Sequence, residues 1–163
     1  MFPASLDTTS KLVSYALMAF AVAMTVTMYS TFDEHWTLLI LPNAILPVII
    51  LFTWLYSPYA YSVTQDAVLV HRKMGNFTIP IKDIKVVNTL DKKAMGWPVR
   101  LMGNGGLFGY TGWYTSSPQG RMRWFVRQQK NYVVIIMNNE RKYVLSPNEP
   151  QALVDAITPF IGA

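Results

Sequence analysis

LVSYALMAFAVAMTVTMYSTF, residues 12–32, contains no charged side chain, and after the break Asp33-Glu34-His35 a second uncharged segment begins, WTLLILPNAILPVIILFTWLY at residues 36–56. At about 1.5 Å of rise per helical residue, each 21-residue stretch is matched to a hydrocarbon layer roughly 30 Å thick. The pattern predicts two transmembrane helices joined by a short acidic turn. A turn that short makes the helices antiparallel, so the N-terminus and everything after residue 58 share one side.

The division that follows is a membrane hairpin over residues 1–58 and a water-exposed domain over residues 59–163. About a hundred residues is an ordinary size for a single core and leaves no room for a second globular domain. The net charge of +5 is unevenly placed: thirteen Lys and Arg face six Asp and Glu from Tyr59 onward, while Lys11 faces Asp7, Asp33 and Glu34 before it. A basic domain held beside a bilayer is drawn toward anionic headgroups by about 1 kcal/mol per cation near the surface. Nucleic acid is the other polyanion, but these cations are scattered and the tether prevents a search for DNA, so no nucleic acid partner is expected. The chain has no cysteine, which excludes disulfides, thiolate nucleophiles and Cys-ligated metals.

Lys11 before an apolar run, with Ala19, Ala21 and Ala23 at A-x-A spacing, resembles a cleaved signal. The apolar run is longer than the roughly 7–15 residues of a signal h-region, so the first span is read as retained. The second span starts at Trp36 and ends with Trp54 and Tyr56, ring types that favour headgroup depth. Lys11, Arg72 and Lys73 flank the spans on one side and the connecting turn has no cation, which puts both termini in the cytoplasm. Ala19, Ala23 and Thr27 form a small-residue stripe for helix packing, either against the second span or in a dimer. Pro42 and Pro47 are expected to bend the second helix, and Asn43 between them to satisfy a freed backbone group.

From Tyr61 the apolar period changes to two. Tyr61-Val63 and Val68-Val70 flank a Gln65-Asp66 turn, Phe77, Ile79 and Ile81 alternate with polar residues, and Ile84, Val86 and Val87 follow. Met122, Trp124 and Val126 alternate within 121–127, and the apolar run Tyr132 to Met137 suits a central strand. Asn138-Asn139 supplies a turn back into Lys142–Leu145. About seven antiparallel strands thus precede one helix. Its expected start is Ser146 as N-cap, Pro147 at N1 and Glu149 at N3, with Leu153, Val154, Ile157 and Phe160 on its apolar face.

The segment Ile79-Pro80-Ile81 before Asp83-Ile84, the glycine-aromatic stretch Gly103 to Tyr110 with Gly112-Trp113, and Ser146-Pro147 before the last helix resemble the bacterial pleckstrin-homology (PH-like) domain families. The resemblance covers about two thirds of the chain. It implies a seven-stranded barrel capped by a C-terminal helix, and a role in binding rather than catalysis. His71-Arg72-Lys73 is too little to transfer the basic loop by which eukaryotic members hold phosphoinositides.

Glycines between Gly103 and Gly112 cannot be a phosphate loop, since no Gly-Lys-Ser/Thr follows and no parallel βαβ unit surrounds them. In a β context they argue for bulges or close backbone approach. Phe108, Tyr110 and Trp113 then either fill the barrel or stay exposed as a binding ridge beside Arg100, Arg121 and Arg123. Lys73, Lys92 and Lys93 complete the expected binding surface. No nucleophile-base pair, paired carboxylate or metal-spaced His set is found, and no cofactor is expected. The reading is a non-catalytic, membrane-anchored module that contacts anionic lipid or a protein partner. The alternatives are a homo-oligomeric scaffold through strand edges and an accessory subunit of a membrane transporter or enzyme.

Overall fold

The structure, a computed structural model, describes residues 1–31 and 36–161, and side chains outside 31–43. Two helices, α1 (Thr8–Thr31) and α2 (Trp36–Tyr56), pack on each other. Their outer surface is apolar: Leu12, Phe20, Val22 and Val26 on α1 and Ile45, Ile49 and Phe52 on α2 are exposed. Among the described residues one stretch, Thr8–Ser30, is long and apolar enough to cross a membrane, and the apolar stretch of α2, Ala44–Tyr56, is shorter. One span is therefore seen where two were expected. The acidic turn Asp33–His35 and the side chains of Trp36, Pro42 and Asn43 lie outside the described residues.

The rest is mainly β. A four-stranded sheet has the order β1 (Phe2–Pro3), β2 (Pro58–Val63), β3 (Ala67–Arg72), β4 (Phe77–Pro80). The second sheet has six strands: β5 (Ile84–Leu90), β6 (Val99–Gly105), β7 (Tyr110–Ser116), β8 (Gly120–Val126), β9 (Tyr132–Met137) and β10 (Lys142–Leu145), in the spatial order β5-β9-β10-β8-β7-β6. A short helix α3 (Lys92–Met95) links β5 to β6, and α4 (Pro150–Ile157) follows β10.

This corrects the expectation of about seven antiparallel strands in one barrel. Among the described residues ten strands form two hydrogen-bonded sheets, and β10 runs parallel to β8, pairing Tyr143 with Arg123 and Leu145 with Phe125. Three strands were missed by the apolar pattern: the two-residue β1, too short to show a period, and β6 and β7, where glycines interrupt the alternation. Period two then divides the larger sheet between two cores. Phe125, Val133, Ile135 and Leu145 face the smaller sheet and α4, while Trp124, Tyr132, Val134 and Val144 face a second cluster closed by Met95, Tyr110, Tyr114 and Met122. Burial on both faces is why Tyr132–Met137 reads as continuous apolar sequence. In the second cluster Tyr114 stacks on Trp124 with ring centroids 4.4 Å apart.

Two local expectations also change. The last helix begins at Pro150 with Glu149 as N-cap and no side-chain cap, because Ser146 is buried and its hydroxyl accepts from the backbone N–H of Arg127 at 2.8 Å and of Gln128 at 3.3 Å. Leu153 and Ile157 are buried, but Phe160 lies in the 3-10 turn after the helix and is exposed. After β9, the positive φ of 61° falls on Glu140 and not on the asparagines, and the Asn139 side chain accepts from Arg141 N–H at 3.2 Å.

Tyr61 ties the two sheets together. Its buried hydroxyl donates to the Phe125 carbonyl at 2.6 Å and accepts from Ser146 N–H at 3.2 Å. Burial pushes its pKa up to about 12. The folded state thus favours the neutral phenol, so this contribution is complete below pH 10 and declines as pH rises toward 12. Tyr61→Phe leaves a buried donor and acceptor unpaired and is expected to lower unfolding free energy by about 1–3 kcal/mol. In denaturant titrations the variant is also expected to lose part of the fall in stability above pH 10. An unchanged alkaline slope would assign that slope to other tyrosines.

Candidate functional site

The glycine-aromatic stretch is a joint between helices and sheets. Gly103 and Gly112 oppose each other across β6 and β7, with φ of 117° and 127°. A Cβ on either would sit 2.2 Å from a backbone carbonyl oxygen, of Thr111 and of Met102 respectively. The expected close approach is found there. Beyond it the turn is wound on Asn104, whose side chain accepts from Leu107 N–H at 3.2 Å and donates to the carbonyls of Leu107 and of Gly109, the latter at 3.0 Å.

This winding holds Phe108 at φ 55° and directs it toward the helices. Its N–H donates to the Ser14 hydroxyl at 2.9 Å, and its carbonyl accepts from the Ser57 hydroxyl. The ring lines an apolar groove of about 620 Å³ with Met18, Ala21 and Val22 of α1 and Pro47, Ile50, Leu51 and Trp54 of α2. Phe108 is therefore neither barrel core nor free ridge. Tyr110 is core, 7% exposed, and Trp113 is half-buried under arginine.

The N-terminal segment is the second half of the joint. Phe2 and Pro3 pair with Tyr61 and Ala60, Ala4 N–H donates to the Tyr59 carbonyl at 3.0 Å, and Asn148 N–H donates to the Pro3 carbonyl at 3.0 Å. Asp7 then roots α1: one carboxylate oxygen accepts from Ser10 N–H at 2.7 Å as an N-cap, and the other from Gln129 N–H at 3.2 Å. Arg127 donates to the Ala4 carbonyl at 3.0 Å, and burial lowers its pKa. Asp7 was missed in the sequence reading, although an acid three residues before Ser10 and ahead of an apolar run is a helix-start signal. At the other helix, Met74 N–H donates to the Leu55 carbonyl at 3.0 Å, so both helices emerge from the same side of the domain.

The expected binding surface separates into several places. At the foot of α2, Lys73 Nζ lies 3.4 Å from the Trp54 ring centroid and the Arg72 guanidinium 5.4 Å from that of Tyr56. Arg72 has its pKa lowered, chiefly by burial and then by the Arg123 charge. On the six-stranded sheet, Arg121 and Arg123 lie 4.5 Å and 5.8 Å from the Trp113 ring, with Arg123 also 4.6 Å from Phe77. Lys92 and Lys93 belong to a different cleft of about 890 Å³ beside the start of α1, shared with Lys130 but also with Asp7 and Asp91. Arg100 is exposed on β6 and folds back over Gly105. Ala19, Ala23 and Thr27 are exposed, on a different face from the Met18-Ala21-Val22 side that meets the groove toward α2.

A family model described as Bacterial PH domain matches residues 59–159. No curated protein and no solved structure matches the chain.

The joint makes the glycines unequal. Gly112→Ala places a Cβ against the Met102 carbonyl at positive φ and is expected to cost more than about 2 kcal/mol. Gly120→Ala, at φ 69° with nothing within 4 Å, is expected to cost about 1 kcal/mol. Thermal unfolding of the full chain in mild detergent compares them. Equal costs would mean that the hairpin crossing is not close.

Proposed function

The chain belongs to the bacterial PH domain family, and from that membership we propose that it is a non-catalytic binding module held at the cytoplasmic face of a bacterial inner membrane. Residues 1–58 serve as a two-helix anchor and residues 59–163 as the module. The exposed apolar surface of both helices supports insertion, since such a continuous surface is not left to water in a soluble monomer. The rooting of α1 at Asp7 and of α2 at Leu55 on one side of the domain supports antiparallel spans with both termini on one side of the membrane, and Lys11, Arg72 and Lys73 favour the cytoplasmic one.

The observation that carries the reading is the pairing of cation and ring at the foot of α2. Lys73 on Trp54 and Arg72 on Tyr56 put positive charge beside amphipathic rings of the kind that favour headgroup depth, which supports contact with anionic headgroups. Tethering raises the effective concentration of the module for anything at that surface, so weak contacts become occupied.

A second reading is assembly through the β6 edge, as a homo-oligomer or with a membrane protein partner. It is favoured by exposed apolar side chains beside and along that unpaired edge: Trp97 is 86% exposed and Met102 67%, with Val99 and Leu101 between them.

Two measurements test the main reading. Vesicles carrying the full chain are expected to retain it through a carbonate wash, and release into the supernatant would remove the anchor. In phosphatidylcholine nanodiscs containing a minority of fluorescent phosphatidylglycerol, energy transfer from tryptophan should report enrichment of the anionic lipid. Arg72→Gln/Lys73→Gln is expected to reduce that enrichment by about 1 kcal/mol per cation removed. Unaltered enrichment would eliminate the headgroup contact.

A further inference from the structure

We propose that the cleft formed by Trp113, Arg121, Arg123, Arg141, Lys142 and Tyr143 binds an acidic segment of a partner protein through its carboxylates. The inference rests on the reading of the domain as a tethered binding module and gives the chemistry of its partner.

The strand register assembles the site. Trp113 pairs with Arg123 across β7 and β8, and Arg123 with Tyr143 across β8 and β10, so three neighbouring strands present one row. Arg121 lies two residues before Arg123 and Arg141 two before Tyr143, which extends the row on the same side. The intervening Met122 and Trp124 are fully buried on the opposite face. Together these side chains line a cleft of about 450 Å³.

Its charge is uncompensated. The only acid lining it, Glu140, is bonded at 2.8 Å to Lys85, which is not part of the lining, and Lys142 Nζ donates to the Gln119 carbonyl at 2.7 Å. Lys85–Glu140 is the only ion pair among the described residues, so the three arginines have no acidic partner there. The Arg121 and Arg123 guanidinium groups lie 4.5 Å and 5.8 Å from the Trp113 ring centroid, and a guanidinium held beside a ring keeps N–H groups for bidentate contact with planar carboxylates.

Position favours a protein over the bilayer. Val126 pairs with Tyr110 beside the joint, and Arg121 lies five residues farther along β8, about 17 Å of strand at roughly 3.4 Å per residue, while Arg123, nearer the joint, is the cleft arginine whose charge reaches Arg72. The field of a lipid surface decays over about 8 Å at physiological salt. Arg72 and Lys73, at the helix foot, are the cations placed to meet it. The lysine cleft beside α1 is a weaker candidate because Asp7 and Asp91 share it.

The test uses the full chain in phosphatidylcholine nanodiscs and a fluorescein-labelled peptide of alternating Glu and Gly, followed by anisotropy at physiological salt. Saturable binding is expected. Arg121→Glu/Arg141→Glu should weaken it at least about tenfold, and Arg121→Lys/Arg141→Lys should weaken it measurably because an ammonium lacks the fork. Lys92→Glu/Lys93→Glu carries the same charge change and should leave affinity within about twofold, far less than loss of a charge-assisted contact. Circular dichroism verifies that these exposed-site variants stay folded. Absence of saturable binding, or equal weakening by the two charge reversals, overturns the proposal. So does loss of phosphatidylglycerol enrichment in Arg121→Glu/Arg141→Glu with peptide binding intact, which would make the cleft a lipid site. Enrichment that depends on Arg72 and Lys73 while the peptide fails to bind would remove the cleft proposal alone.

Discussion

Two glycines without side chains set how the helices meet the sheets. Where β6 crosses β7, the Thr111 and Met102 carbonyls occupy the space a Cβ would need, so the strands close to a separation that only Gly103 and Gly112 permit. The tight crossing ends in a turn wound on Asn104, and that turn presents Phe108 to the groove between α1 and α2. The Phe108 backbone hydrogen bonds to Ser14 and Ser57 hold the hairpin tip to the end of each helix nearest the domain. The N-terminal segment closes the same joint from the other side, through Asp7 and the pairing of β1 with β2.

A joint of this kind links anchoring to orientation. A flexible linker would allow the domain to tumble against the helices, whereas a segment bonded at Ala4, Asp7, Ser14, Ser57 and Leu55 restricts which face is turned to them. Charge is distributed to match. Lys73 and Arg72 stand against rings at the helix foot, while Arg121 and Arg141 stand several residues away along the sheet. One basic total therefore divides into separate surfaces: ammonium and guanidinium groups beside Trp54 and Tyr56, and guanidinium groups beside Trp113.

Much of this was legible in order and not in arrangement. Alternation located β3, β4, β8, β9 and β10, because a strand with one or both faces buried must repeat its apolar residues with period two or run continuously. It failed at β6 and β7, where glycines removed the side chains that carry the signal. Ser146 was read as a helix cap because hydroxyl, proline and carboxylate spacing is a local pattern. Its actual partners, the Arg127 and Gln128 amides, come from the loop that follows β8, about 18–19 residues earlier in the chain. Phe108, Tyr110 and Trp113 were grouped by proximity in sequence, yet they go to a helix groove, a buried core and an arginine stack.

The amino-acid order alone determined the apolar helices, the basic excess after Tyr59 and a mainly β domain ending in a helix, since each rests on composition or on a period visible within a few residues. Only the tertiary structure decided that the larger sheet divides its side chains between two cores, that Asp7 and Phe108 bind helices to domain, and that Arg121, Arg123 and Arg141 line one cleft with Trp113. Those outcomes depend on cross-strand register and on contacts between distant segments, and no local pattern encodes which residue will stand opposite another.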